Sequence, residues 1–325
     1  MTDSDLGYLL GVFSDLRLTS AKAFALGSDL ISVGEGQSEF RNQLCRHLYV
    51  RIYTTRFRTT QYHKTSSDTG HDITATLSAA NSSRTIRQDG WIVRSINPDG
   101  SLTCDRGTSG TGIFFADHVY SRNSRFPASI GDQVIVEFPR ELRQGQESFY
   151  FALGEERLDG NDLRNLVRLY WNVGLSGAPR LTNVLTRNLN KFKIPFQFKA
   201  GSSAPFYQRC DSAVLYIARR HFNITAAIVA ELLPQLRPLL SSDVPLFTKL
   251  LEPGLSAAED PGTGESYGES RCAILADGIL TSWQRGDETA HSMLREVERQ
   301  FELRGLSINQ PYLRPGSNDV YYLPR

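Results

Sequence analysis

Several ordinary features are scarce or absent in this sequence, and each absence narrows what the chain can be. Cys45, Cys104, Cys210 and Cys272 stand far apart, with no C-x-x-C pair. That spacing argues against a disulfide framework or a zinc site and fits reduced thiols in a cytoplasm. Neither sign of charge dominates: 36 Lys+Arg face 35 Asp+Glu, a net charge of +1. A general electrostatic grip on nucleic acid is therefore not expected. No apolar run approaches the length needed to cross a bilayer. The acidic start Met1-Thr2-Asp3-Ser4-Asp5 also lacks the positive charge that opens a signal peptide. A G-x-S-x-G elbow, a Walker loop and H-E-x-x-H are all missing, so a hydrolase triad or a metal centre has no footing. Together these absences predict a cytoplasmic chain without cofactor or metal, partnered by neither nucleic acid nor membrane.

What is present is enough chain, 325 residues, to bury a full core in one large or two medium domains. Leu6, Leu9, Leu10 and Phe13 recur at helical spacing, and residues 4–58 read as largely helical. Residues 59–88 are rich in Ser, Thr, Asp and Asn and read as a polar loop or linker. Residues 89–153 change to short strands, among them a hairpin turning at Asn97-Pro98-Asp99-Gly100. From residue 154 strands and helices mix. Strands are expected at Leu166–Val173 and Ala213–Ile217, and helices over about 177–190, 225–234, 269–284 and 288–304. A short strand, Asp319–Leu323, is expected at the tail, and residues 252–268 read as a loop. The whole predicts an α+β protein, with a helical and β-rich front part over 1–153 and a mixed α+β part over 154–325.

The back part holds the residues that could carry chemistry. In Lys191-Phe192-Lys193-Ile194-Pro195-Phe196-Gln197-Phe198-Lys199, a period of two puts Lys191, Lys193 and Lys199 on one face and the apolar residues on the other. Pro195 cannot donate to a ladder, which predicts an edge strand or a bulge. The lysine face is either an anion-binding or acid/base surface, or an edge protected against aggregation. Tyr207, Arg209 and Asp211 sit directly before an apolar strand, and Lys249 follows Val244-Pro245-Leu246-Phe247-Thr248. The glycine-rich run to Gly268 opens a helix whose N-terminus can attract an anion. Arg271 in its first turn opposes the helix dipole and so needs a partner, either a phosphate or one of Glu259, Asp260 and Glu265. Tyr170, Trp171 and Asn172 read first as core.

Four blocks now carry a resemblance. Arg168-Leu169-Tyr170-Trp171-Asn172, Ile194-Pro195-Phe196-Gln197-Phe198-Lys199, Arg209 through Tyr216 and Gly264 through Cys272 occur in the order found in the HopA-type effector family, which the chain resembles over roughly residues 140–285. The resemblance extends to the lyase component of class V lanthipeptide synthetases. It implies a phosphorylated precursor peptide as substrate and a separate Ser/Thr kinase as partner. The implied reaction is elimination of phosphate from phosphoserine or phosphothreonine to leave dehydroalanine or dehydrobutyrine. Lys191-Phe192-Lys193 is also similar to the Lys-Phe-His strand of effector-type phosphothreonine lyases, with Lys193 where their acidic histidine stands. On this reading Lys199, Lys193 and Lys191 are the candidate catalytic residues, and Arg209 and Arg271 hold phosphate. Tyr207, Asp211 and Lys249 contact the peptide. The alternative is an effector-like module that binds a protein partner without chemistry.

Overall fold

Apolar residues alternate with polar ones in short runs along the middle of the chain. In the computed structural model these runs pair into three sheets whose strand pairs are antiparallel throughout the described residues. The structure describes residues 3–20, 22–34, 36–55, 72–107, 110–115, 118–121, 128–146 and 148–324. Helix α1 (Asp3–Asp15) leads into a three-stranded meander of β1 (Leu16–Ser20), β2 (Ala23–Leu26) and β3 (Asp29–Ser32). Helix α2 (Gln37–Leu48) runs directly into one π-helical turn, Tyr49–Thr54, and α3 (Thr74–Ala80) follows later. A five-stranded sheet is built from β4 (Ile86–Ile96), β5 (Leu102–Asp105), β6 (Thr111–Phe114), β7 (Val119–Ser121) and β8 (Gln133–Phe138), in the order β6-β5-β4-β8-β7.

The remaining elements build the main body. They are β9 (Glu141–Gln146), β10 (Phe149–Leu153), α4 (Gly160–Arg164), β11 (Leu166–Trp171), α5 (Ala178–Lys191), β12 (Phe196–Gly201), β13 (Ala213–Ala218) and α6 (Phe222–Leu236). After these come β14 (Lys249–Glu252), β15 (Leu255–Glu259), α7 (Tyr267–Gln284) and α8 (Ala290–Glu302). Their strands form a seven-stranded sheet in the order β14-β15-β11-β13-β12-β10-β9. β9 and β10, which precede the expected division at residue 154, complete this sheet. One hydrophobic core runs from Leu9 through the sheet to Tyr321, and a separate small core around Trp91, Val93 and Val134 serves the five-stranded sheet. The protein is a mixed α+β fold. Among the described residues no helix is long and apolar enough to cross a membrane.

Five expectations need correction. Residues 16–32 are strands, because Leu16, Leu18, Phe24 and Leu26 bury alternate positions that a helical reading runs together. Within the expected loop 252–268, Leu255–Glu259 is a fully buried strand; its Ser and Ala residues carry little apolar signal but fit between two neighbours. The tail forms no strand: Tyr321 anchors it by donating its hydroxyl hydrogen to Glu259 and packing edge-on against Phe222. Of the expected polar linker, residues 59–71 lie outside the described residues, 74–80 are helical, and β4 begins at Ile86.

The fifth correction concerns the lysines. Residues 191–199 are not one strand. Helix α5 runs through Lys191, and Lys193 takes the left-handed conformation at φ 53°. The Ile194 amide donates to the Leu189 carbonyl and the Lys193 amide to that of Asn190. This pair of bonds, with buried Leu189 against buried Ile194, closes a helix in the Schellman manner, and proline commonly follows such a stop. Pro195 therefore precedes β12, which is an interior strand between β10 and β13. Lys191 and Lys193 are exposed at the helix end, off the face that Lys199 occupies. Because glycine tolerates the left-handed position better than any other residue, Lys193→Gly should stabilise the fold by about 0.5–1 kcal/mol, and Lys193→Val should destabilise it by about 1 kcal/mol or more. Chemical denaturation of both variants measures this; the opposite order would restore the strand reading.

Candidate active site

Directly opposed residues of neighbouring antiparallel strands share a sheet face. Lys199 of β12 lies opposite Phe151 of β10 and Val214 of β13, and Val214 lies opposite Tyr170 of β11. The next row on the same face is Gln197, Tyr216 and Arg168. Lys199 and Tyr170 are thus two strands apart across Val214, with backbones separated by about 10 Å at the usual strand spacing.

A roof of aromatic rings covers this face. The π-helical turn stacks Tyr49 on Tyr53 at 5.3 Å, and the Tyr267 ring at the start of α7 lies 6.3 Å from Tyr53 and 6.2 Å from Tyr170. Helix α7 can come this close because residue 268 has no side chain. A Cβ there would fall 2.5 Å from the Tyr53 ring and 2.6 Å from that of Tyr49. Between roof and sheet lies a cavity of about 220 Å³, with Lys199, Arg168, Arg209, Asp211, Tyr53 and Tyr170 in its wall.

Lys199 is half-buried. Its ammonium donates to Gln146 Oε1 at 2.8 Å and lies 3.6 Å from the centre of the Phe149 ring. Burial, helped by the Arg209 and Arg168 charges and opposed by Asp211 and Glu269, pulls its pKa down to about 8. Both arginines are anchored. Arg209 donates from Nε and Nη2 to the two oxygens of Asp211, at 2.7 and 2.8 Å, and from Nη2 to the Tyr49 hydroxyl at 2.8 Å. Arg168 donates from Nε and Nη2 to Asp260 and lies over the Tyr216 ring. Burial works against the charge on Arg168, but the Asp260 carboxylate and neighbouring phenols outweigh it, so the guanidinium pKa is raised. The same balance, with Asp211 opposing burial, raises that of Arg209. Each arginine uses Nε and Nη2 internally, and Nη1 of each has no hydrogen bond within the described residues. The phenols of Tyr53 and Tyr170 stand beside each other and influence each other's ionisation, yet neither oxygen has a partner at normal hydrogen-bond length.

Of the residues singled out from the sequence, Lys199, Arg209 and Asp211 meet in this cavity. The others do not line it. Lys191 and Lys193 are at the end of α5, and Lys191 lines a larger groove of about 1000 Å³ whose wall is mostly the apolar side chains of α6. Arg271 is buried, with its Nε on the Pro311 carbonyl at 2.8 Å and its Nη2 on that of Leu313 at 3.2 Å. The partner that its place in the helix calls for is therefore backbone, neither phosphate nor carboxylate. Tyr207 donates to the Gly201 carbonyl, and Lys249 pairs with Asp319 under the Tyr322 ring. Tyr170, which could line a pocket but reads first as core, does line it, and Arg168 and Tyr53 join the site unforeseen. The available signal was Arg168, a lone charge inside the apolar run Leu166–Trp171, since a buried guanidinium needs a partner.

The polar groups gathered here, one half-buried amine with a depressed pKa and two guanidiniums each with a spare donor, can bind an oxyanion and accept a proton beside it. The model of the HopA1 effector protein family matches residues 142–313, which include Lys199, Arg168, Arg209, Asp211 and Tyr170. Two solved structures are similar. One is the effector protein from Pseudomonas syringae pv. tomato strain DC3000, at 22% identity over 74% of this chain and 80% of that one, TM-score 0.41. The other is the effector protein from Pseudomonas syringae pv. syringae strain 61, at 17% identity over 84% and 95%, TM-score 0.39. No curated protein matches the chain. With more than half of its length matched by the family model, the chain belongs to the HopA1 effector protein family.

Proposed function

We propose that this protein eliminates phosphate from phosphoserine or phosphothreonine in a peptide, leaving a dehydroamino acid. The observation that carries the reading is Lys199: an amine with a pKa near 8, lining one small cavity with two anchored guanidiniums. The reaction must remove a weakly acidic Cα proton next to a phosphate carrying nearly two negative charges. A lysine serves as base once burial and neighbouring cations favour its neutral form. Nη1 of Arg168 and of Arg209 supply charge-assisted donors to the phosphate oxygens. Asp211 and Asp260 are positioning residues that aim those forks. Arg168 takes the place that Arg271 held in the sequence-based reading, and Lys199 is the base without Lys191 or Lys193.

The substrate has to arrive phosphorylated, so a separate Ser/Thr kinase acts before this chain. The resemblance to the lyase component of lanthipeptide synthetases supports a precursor peptide as the carrier. A second reading, an effector-like module that binds without chemistry, draws on one observation: both guanidiniums are already paired with carboxylates. The two readings part on a direct measurement. Incubation with synthetic phosphoserine and phosphothreonine peptides should give products lighter by one phosphoric acid in mass spectrometry. Intact phosphopeptide after prolonged incubation with folded protein would replace the lyase by the binding module.

Two further outcomes follow from the site. Lys199→Ala should lower kcat by about 100-fold or more while leaving KM within a few-fold, whereas Arg168→Lys, which keeps charge but loses the fork, should raise KM and lower kcat together. The depressed amine pKa sets the pH dependence. A cation whose pKa falls loses its proton earlier as pH rises, so kcat/KM should climb through about pH 8 and level above it. Bound phosphate favours the ammonium, so the inflection in kcat should lie at higher pH than that in kcat/KM. A flat profile across this range would remove Lys199 from the base role.

A further inference from the structure

We infer that Tyr170 is the acid of this site, donating its phenol proton to the departing phosphate; this rests on the elimination reading above. The reaction needs a proton at two places, leaving Cα and arriving at the bridging oxygen. Lys199 answers the first. For the second, the position of the acidic histidine in effector-type lyases holds Lys193, which is exposed at the end of α5. Arginine cannot donate its proton outright. Within the cavity wall, the phenol oxygens that are fully covered and lack a hydrogen bond of normal geometry are those of Tyr53 and Tyr170.

Buried phenols usually find a partner, and an unsatisfied one at a polar cavity calls for an explanation. Tyr170 is 3% exposed, and its oxygen is fully covered without a partner. It shares a register row with Lys199, with only the Val214 side chain between them on the sheet face. A phosphorylated side chain resting over Val214 would place its Cα proton towards β12 and its ester oxygen towards β11. The proton-accepting and proton-donating groups then stand on opposite sides of the bond pair that breaks. Arg168, two residues earlier on β11, lies close enough to offset part of the cost of ionising Tyr170. Tyr53 belongs to the roof and has no such place in the row.

The step balances as follows. Lys199 Nζ takes the Cα proton, and the C–H electron pair becomes the new C=C bond. The Cβ–O bond breaks with its electrons passing to the bridging oxygen, which receives the Tyr170 proton and leaves as hydrogen phosphate. The tyrosinate and the Lys199 ammonium then exchange a proton, and both residues return to their starting forms.

Tyr170→Phe removes an oxygen that makes no hydrogen bond of normal geometry in the free protein and has only weaker contacts with Tyr53 and Arg168, so the variant should fold with a melting temperature close to that of wild type. Its kcat on a phosphoserine peptide should fall about 100-fold or more with KM little altered. On the matching O-sulfoserine peptide, whose sulfate leaves without needing a proton, the variant should stay within about threefold of wild type. Equal losses on both peptides would make Tyr170 structural, and undiminished turnover of phosphopeptide would exclude it as the acid; either result overturns this inference and leaves Lys199 as base intact. Wild type inactive on both peptides would overturn the elimination reading itself. As a variant that keeps the ring and hydroxyl, 3-fluorotyrosine incorporated at position 170 is a stronger acid. It should move the fall that ends the plateau, where Tyr170 itself loses its proton far above pH 8, to lower pH, and an unmoved limb would also overturn the assignment.

Discussion

Charge balance under an aromatic roof is the constraint on which the site depends. A lysine and two arginines around one cavity repel one another and lose hydration, and such a group holds together only if carboxylates answer it with good geometry. Asp211 and Asp260 do so through paired N–H···O bonds to Arg209 and Arg168. Both carboxylates sit just beyond the ends of their strands: Asp211 ahead of β13, and Asp260 immediately after β15. Burial is the main cause of the lowered Lys199 pKa, and the two guanidiniums add to it against Asp211 and Glu269, so the same packing that pairs the arginines favours the neutral amine.

The roof ties the front of the chain to the back. Tyr49 and Tyr53 come from a π-helical turn, an element often found at functional sites, and they meet α7 only because Gly268 permits near contact. The Arg209 guanidinium reaches across to the Tyr49 hydroxyl, and the Cys210 amide donates to the Thr54 carbonyl. Further out, Arg41 of α2 and Arg304 after α8 share Asp277 of α7. Residues that read as a separate helical front are therefore one wall of the cavity.

Local patterns were legible where one period dominates. The hairpin at Asn97–Gly100, strands β8, β10, β11 and β13, and helices α5, α7 and α8 follow from apolar spacing and turn residues. The lysine segment misled because two periods overlap there. Lys191, Lys193 and Lys199 alternate with aromatic residues as a strand would, yet the bonds that end α5 claim the first five positions. Such a closure shows only when the preceding helix is followed to its last turn. Residues Leu255–Glu259 were missed for the opposite reason: small side chains carry almost no pattern, and their burial comes from strands β11 and β14 on either side.

By itself the sequence determined the α+β class and the concentration of unusual charges after residue 154. It also marked Lys199, Arg209 and Asp211, because cations and acids near the ends of apolar strands stand out against their neighbours. Only the tertiary structure decided which charges meet. Strand order sets Lys199 beside Val214 and Tyr170, residues that are 15 and 29 or more positions away along the chain in the sense that no local pattern links them. The same folding sends Arg271 to backbone carbonyls and Lys249 to Asp319, since burying a cation obliges it to take the nearest acceptors that the packing supplies.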